Sequence, residues 1–265
     1  MRKANLPIVI GSFFIVVILI PTMISLFYTP YDPETMQITA RLQSPSSTHW
    51  LGTDQYGRDM LSRIMTGGQT SLLIGFASVG AGMVIGVVLG ALAGFYGHRI
   101  DEVLMRSAEV FYAFPSILLA LLAVAIFGPG ENTVMAAIAI ANIPVFMKIT
   151  RASFLQQSKF EYVQAARAVG ASDLRIMFRH ILPNCARLIL VQATASFAGA
   201  LLSEASLSYL GVGVQPPKPS WGRMLKEAQA FGSLAPWTVV FPGIAIALIV
   251  LGLNLVADGL KTKGK

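Results

Sequence analysis

The sequence predicts an all-α protein that crosses a membrane six times, with both termini on one side and a bent, water-facing elbow between the fourth and fifth spans. Three observations lead there. Hydrophobic residues are 54% of the 265 and charged residues only 12%, with a mean hydropathy of +0.65; a soluble domain carries about a quarter charged residues. Apolar runs alternate with short polar stretches, and a helix rising about 1.5 Å per residue needs about 20 of them to cross a core of about 30 Å. The basic residues are also unevenly divided between the two sets of loops that six crossings create. Cys185 is the single cysteine, which excludes an internal disulfide and a cysteine-based zinc cluster. His49, His98 and His180 are too far apart in sequence to form a metal-ligand motif, so no cofactor is expected.

Met1, Arg2 and Lys3 precede an apolar run from about Leu6 to Phe27. The basic start would suit a cleavable signal, but the run exceeds the usual ~7–15 residues and no Ala-x-Ala site follows, so residues 1–27 read as a tail and an uncleaved first span. Residues 28–70 turn polar and form a folded external loop, with Trp50, Tyr56, Met60 and Leu61 suited to the headgroup level. Asp54 and Asp59 lack the further carboxylates of a calcium loop, so Arg58 is their expected ion-pair partner.

A core of five further spans occupies 71–257. The second, about Ser71 to Tyr96, carries Gly82, Gly86, Gly90 and Gly94 at every fourth residue, a stripe that lets a neighbouring helix approach closely in lipid. Residues 98–109 are a charged turn whose Arg99, Asp101, Glu102, Arg106 and Glu109 are expected to pair among themselves. Pro115 predicts a kink in the third span, about Val110 to Phe127. After the turn at 128–131, the fourth span runs from about Asn132 to Ile149, with Pro144 near its inner end. The fifth, about Cys185 to Tyr209, is the most polar, and its Gln192, Ser196 and Glu204 are the candidates for a translocation path. A carboxylate at bilayer centre costs about 2.5–3.5 kcal/mol on the insertion scale, so Glu204 is expected near the outer end, facing protein or water. The sixth span, about Pro236 to Ala257, leads into a basic tail over 258–265.

The coupling loop, 150–184, is the longest amphipathic interval. Ser158 and Glu161 have the spacing of a capping box, which predicts a helix start. Tyr162, Ala165, Ala166 and Val169 form one small-residue face, and Gly170 supplies a left-handed stop. Ser172 is placed to cap a second helix, acidic at Asp173 and apolar at Leu174, Met177, Phe178 and Ile181, which Pro183 is expected to end. The result is an elbow of two short helices.

This loop resembles the Glu-Ala-Ala loop of the membrane subunits of ATP-binding-cassette importers: Gln164-Ala165-Ala166, then Gly170, then Ile181-Leu182-Pro183. Gln164 stands where that family has its glutamate, which leaves hydrogen bonding but no charge. Residues 49–59 hold His-x-Leu-Gly-Thr-Asp and Gly-Arg-Asp, residues 207–222 hold Leu-Ser-x-Leu-Gly-x-Gly, Pro and Trp-Gly, and Asn254, Asp258 and Lys261 sit in the closing motif. All three are similar to the dipeptide, oligopeptide and nickel branch. The resemblance implies a type I importer permease that performs no chemistry. It also implies a related second permease as heterodimer partner, two cytoplasmic ATPase subunits and an external solute-binding protein. The ATPase-coupling residues it implies are Glu161, Gln164, Ala165, Ala166, Gly170, Ser172, Asp173, Leu182 and Pro183.

Fourteen basic residues (Arg2, Lys3, Arg99, Arg106, Lys148, Arg151, Lys159, Arg167, Arg175, Arg179, Arg187, Lys261, Lys263 and Lys265) fall on the elbow side. Six (Arg41, Arg58, Arg63, Lys218, Arg223 and Lys226) fall opposite. By the positive-inside tendency, the elbow and both termini face the cytoplasm. The net charge of +7 is therefore read as orientation in the inner membrane, not as nucleic-acid binding. No phosphate-binding G-x-x-x-x-G-K-[ST] occurs, so ATP hydrolysis is expected on another chain. An ion-coupled carrier would want several intramembrane carboxylates and an inverted repeat, and an intramembrane enzyme would want a nucleophile with a base; neither pattern is present. Peptide is the favoured cargo, with nickel or a metal chelate second.

Overall fold

The first feature of the computed structural model, which describes residues 6–262, is the contact between two parallel helices, α2 (Met60–Tyr96) and α5 (Glu131–Gln157). The glycine stripe makes that contact. A Cβ added at Gly82, Gly86, Gly90 or Gly94 would lie 2.7, 2.5, 2.4 or 2.7 Å from the carbonyl oxygens of Ala139, Ile143, Met147 and Arg151. Each glycine thus faces one turn of α5 backbone, in step, over three turns. Only hydrogen in place of Cβ permits this approach, and in lipid close van der Waals contact is what holds helices together.

The remaining helices dress this pair. α1 (Leu6–Ile24) runs antiparallel to the last helix, α9 (Trp237–Thr262), where Gly11 and Gly252 each face the other's carbonyl oxygen. Between α2 and α5 lie α3 (His98–Ala113) and α4 (Ser116–Phe127), which meet at Phe114 and Pro115 with a bend of 86°. α6 (Glu161–Ala168) forms the first arm of the elbow, and α7 (Asp173–Leu210) runs from the second arm to the far end of the molecule. α8 (Trp221–Ala228) is short and lies in the segment between α7 and α9. Among the described residues, α1, α2, α5, α7 and α9 are long and apolar enough to cross a membrane, and α3 with α4 supplies a sixth crossing only as a bent pair. Pairing of Ile8 with Gly259, and of Arg187 with the Leu260 carbonyl at 2.9 Å, puts both ends of the described chain near the elbow end. The tail residues Arg2, Lys3, Lys263 and Lys265 lie outside the described residues.

Three boundary expectations and one pairing expectation are corrected. The second span begins at Met60, eleven residues before Ser71, because Asp59 caps it by accepting the Ser62 N–H at 2.8 Å. Val110–Ala113 belong to α3, so the third span is divided at Pro115: α4 alone, at about 18 Å, is too short for the core. α5 continues through Pro144 to Gln157, past the expected end at Ile149. The charged turn does not pair only within itself: Arg106 and Glu109 approach to 4.0 Å, but Asp101 receives a two-pronged hydrogen bond from Arg151 of α5, one prong at 2.6 Å.

At the end opposite the elbow, residues 28–59 fold onto α8 through buried charges. Arg58 Nε donates to Asp54 Oδ2 at 2.6 Å and its Nη2 to Glu227 Oε2 at 2.6 Å, while Arg63 Nη2 reaches the same Glu227 oxygen at 3.0 Å. Asp59 does not pair with Arg58 as expected; its partner is His49 Nδ1 at 2.9 Å. Met60 is buried in the core and leaves the expected headgroup-level set, whereas Trp50 is 70% exposed. Burial would push the Glu227 carboxyl up, but Arg63 and Arg58 outweigh it and hold the group below its ordinary value.

Two outcomes follow from this packing. Gly86→Ala should lower the thermal stability of the detergent-solubilised protein by about 1–3 kcal/mol through overpacking, and Gly80→Ala, where a Cβ meets open space, should not. Because its folded value is lowered, Glu227 contributes stability that is fully present above the usual carboxylate range and drains away as pH falls through it. Tryptophan-monitored melting should therefore lose stability on acidification in the parent protein. Glu227→Gln should start on the order of 3 kcal/mol lower at neutral pH and show a flatter acid limb.

Candidate functional site

The elbow begins where α5 ends. Ser158 does not form the expected capping box: its hydroxyl donates back to the Leu155 carbonyl at 3.1 Å, so it closes α5 rather than opening α6. α6 starts without a side-chain cap at Glu161. Its stop is as predicted, for Gly170 takes φ +77°. The Ala171 N–H bonds to the Ala166 carbonyl at 3.0 Å and the Gly170 N–H to Arg167 at 3.0 Å, the paired bonds of a Schellman motif. Ser172 sits at the start of α7, but its side chain accepts no capping bond there.

The largest difference from expectation lies at Pro183, which does not end the second arm. Residues 176–181 form a π-turn, in which the Leu182 N–H reaches back five residues to the Met177 carbonyl, and the helix then runs on through Pro183 to Leu210. Proline lacks the N–H that would bond four residues back, and its ring crowds that carbonyl. Widening the preceding turn removes the conflict without breaking the axis. The second arm and the fifth span are consequently one helix of 38 residues.

Side chains fix the first arm to this rod and to α2. Tyr162 Oη donates to Gln157 Oε1 at 2.8 Å and accepts from Asn184 Nδ2 at 3.3 Å, tying α5, α6 and α7 together. The Arg167 guanidinium lies over the Phe95 ring, 5.2 Å from its centroid, within reach of a cation–π contact. The expected small face is rotated: Val163 and Ala166 are buried in the elbow's own packing, while Gln164 and Ala165 are exposed and Val169 is 84% exposed. Met177 and Ile181, with Ile176, are buried, whereas Leu174 and Phe178 remain outside. Glu161, Ser172, Asp173 and Pro183 are also exposed, and Leu182 is half-buried. The elbow thus presents Val169 and Leu174 with Arg175 and Arg179, uncovered among the described residues, while Phe178 lines an apolar groove with Val84, Val88 and Leu190 of the spans.

A cavity of about 330 Å³ lies between α4, α5 and α7. Phe111, Tyr112 and Phe114 line it near the α3–α4 bend, and Ser116, Asn142, Ser196 and Ser203 supply its polar groups. No charged residue lines it. Of the three path candidates only Ser196 does so. Gln192, half-buried, donates to the Ser196 hydroxyl at 3.2 Å, and Glu204 is buried elsewhere at the far end of α7. Asn142 was missed by sequence reasoning, although an amide in an alanine-rich span was the signal for it.

Helices of spanning length, an uncharged cavity between them and an uncovered elbow continuous with one span define a multi-pass membrane transport subunit. Residues 86–262 match the model of the binding-protein-dependent transport system inner membrane component, and the chain belongs to that family. It is 44% identical over 254 residues to the dipeptide transport system permease protein DppC of Alkalihalophilus pseudofirmus, covering 96% of this chain and 82% of that one. It is 45% identical over 236 residues to the glutathione transport system permease protein GsiD of Pectobacterium atrosepticum, covering 89% and 78%. The di/tripeptide transport system permease protein DppC of Pseudomonas aeruginosa is 42% identical over 257 residues, covering 95% and 85%. In fold it is similar to an inward-facing MetNI methionine transporter chain (TM-score 0.59, 18% identity, 76% of this chain and 97% of that one) and to an amino acid ATP-binding-cassette transporter chain (0.57, 20%, 73% and 90%). Family membership implies an ATPase and a substrate-binding protein as partners.

The left-handed φ at Gly170 sets a local test. Gly170→Val should destabilise the elbow by about 1–2 kcal/mol, with faster limited proteolysis between α6 and α7, while Gly170→Asn, which tolerates that conformation, should cost less.

Proposed function

We propose that the chain is one permease subunit of an ATP-driven importer of short peptides, and that its elbow is the part gripped by the ATPase. The observation that carries this reading is the exposure of Val169, at the end of the first arm, and of Leu174, at the start of a helix that continues unbroken through the fifth span. Apolar side chains in water beside cations suit a protein groove with acidic edges. Glu161, Gln164, Ala165, Gly170, Ser172 and Asp173 would frame that contact. Ala166, Leu182 and Pro183 would serve it indirectly, Ala166 through internal packing and the other two by joining the elbow to α7.

The charge asymmetry supports an elbow and termini in the cytoplasm, with residues 28–59 and α8 on the external side, where a solute-binding protein would dock. The cavity, open on one side, would be completed by a related second permease, and two ATPase subunits would sit beneath the pair. Relatives named for dipeptide, di/tripeptide and glutathione transport favour short peptides over nickel as cargo. An uncharged lining of hydroxyls, one amide and aromatic rings suits cargo of varied side-chain charge, leaving selection to the binding protein.

ATP binding would close the ATPase pair, and the elbow would follow. Its movement would tilt α7 and α5, and the cavity would change the side to which it opens. ATP biases this equilibrium only through contacts that differ between the two states. Val169→Asp should leave insertion and thermal stability unchanged but weaken association with the ATPase at least tenfold, or about 1.4 kcal/mol, with uptake falling in parallel. Wild-type association and uptake in that variant would overturn the role given to the elbow.

A further inference from the structure

Glu204 is a buried carboxyl inside the fifth span that neither the cavity nor the elbow uses. It is 1% exposed. Oε1 accepts the Ser208 hydroxyl at 2.7 Å, and Oε2 has no hydrogen-bond partner. Around it, three serines from three elements each accept a backbone N–H from the segment that follows α7. Ser208 of α7 takes Val214 at 3.1 Å, Ser71 of α2 takes Trp221 at 3.3 Å, and Ser220 takes Arg223 at 3.2 Å. The hydroxyls of Ser71 and Ser220 also reach the Glu204 carboxyl, though neither makes a well-formed hydrogen bond to Oε2. The seating is tight, for a Cβ at Gly222 would lie 2.4 Å from the Ala205 carbonyl and one at Gly213 would lie 2.2 Å from Ser208 Oγ.

Burying a carboxyl in this joint costs free energy whether it is charged or protonated, and the hydroxyls that reach it offset only part of that cost. Closing the same joint with a neutral or apolar side chain is often neutral or stabilising. A carboxyl here therefore opposes the seated state and narrows the gap to a lifted one in which water reaches Oε2.

We infer that Glu204 is a positioning residue that keeps the 211–223 segment ready to lift, so that docking at this end of the molecule is transmitted along α7 to the elbow. The transmitting element exists, since α7 extends 38 residues, about 57 Å, from the elbow to this joint without a break in its axis. The inference rests on the importer reading above, which places the binding protein at this end and the ATPase at the other.

The test uses the full assembly in lipid nanodiscs and measures ATP hydrolysis with and without the assembly's own binding protein, saturated with a mixture of dipeptides. Glu204→Gln keeps the acceptor for Ser208. It should retain basal hydrolysis and melt at the same or a higher temperature, yet lose at least about fivefold of the stimulation by the loaded binding protein. Ser208→Ala leaves the Val214 N–H and Glu204 Oε1 unpaired in the seated joint, so it should act oppositely, raising hydrolysis in the absence of binding protein and lowering the melting temperature. Normal stimulation in Glu204→Gln would overturn the inference, as would a proportional fall in both rates with a lower melting temperature. A wild-type assembly that the loaded binding protein does not stimulate would instead overturn the importer reading beneath it.

Discussion

The contact between the α2 glycines and the α5 backbone is the constraint on which the rest depends. Lipid tails are as apolar as leucine, so burial against another helix gains little from water, and packing at short range must hold the spans together. Four glycines at every fourth residue place four α5 carbonyls against bare backbone. That fixes α5 relative to α2 in height and rotation. Everything attached to the end of α5 inherits its position from there, including Arg151, which holds α3, and Gln157, which holds Tyr162 of the elbow.

The second arm of the elbow obeys a different constraint. A proline one turn into a span would ordinarily mark a joint, and a joint would let the elbow swing without moving the membrane helices. The π-turn before Pro183 keeps the axis continuous, so that displacement of Leu174 or Phe178 becomes displacement of α7. The bend at Pro115 does the reverse. There the chain turns by 86° between α3 and α4, beside the cavity, at the aromatic residues Phe111, Tyr112 and Phe114. One cavity thus has an unbroken helix in one wall and a sharp bend in another.

Local rules written in adjacent residues were legible in the sequence: the four-residue glycine spacing, the left-handed stop at Gly170, the break at Pro115 and the apolar length of most spans. Rules that require knowing a neighbour were not. The Arg58 and Arg63 pairings with Glu227 join residues 169 and 164 positions apart. Ser158 met the pattern of a capping box, yet its hydroxyl found the preceding turn first, because α5 runs further than its apolar stretch. Pro183 was read as a stop because a proline breaks an α-helix, and nothing local announces that a wider turn will absorb it. The elbow's faces were misassigned for the same reason: periodicity gives a stripe, but only packing decides that Val163 and Ala166 go inward while Val169 stays in water.

The central claim is that the elbow and α7 move as one body when the ATPase changes state. Determining the assembled complex by cryo-electron microscopy without nucleotide and again with hydrolysis blocked tests it directly. Residues 161–210 should superpose between the two states as a single rigid piece, with the elbow seated in the ATPase in both and the change of angle taken up near Pro115. An elbow that pivots about the π-turn while α7 stays still, or one found on the membrane face opposite the ATPase, would contradict the account.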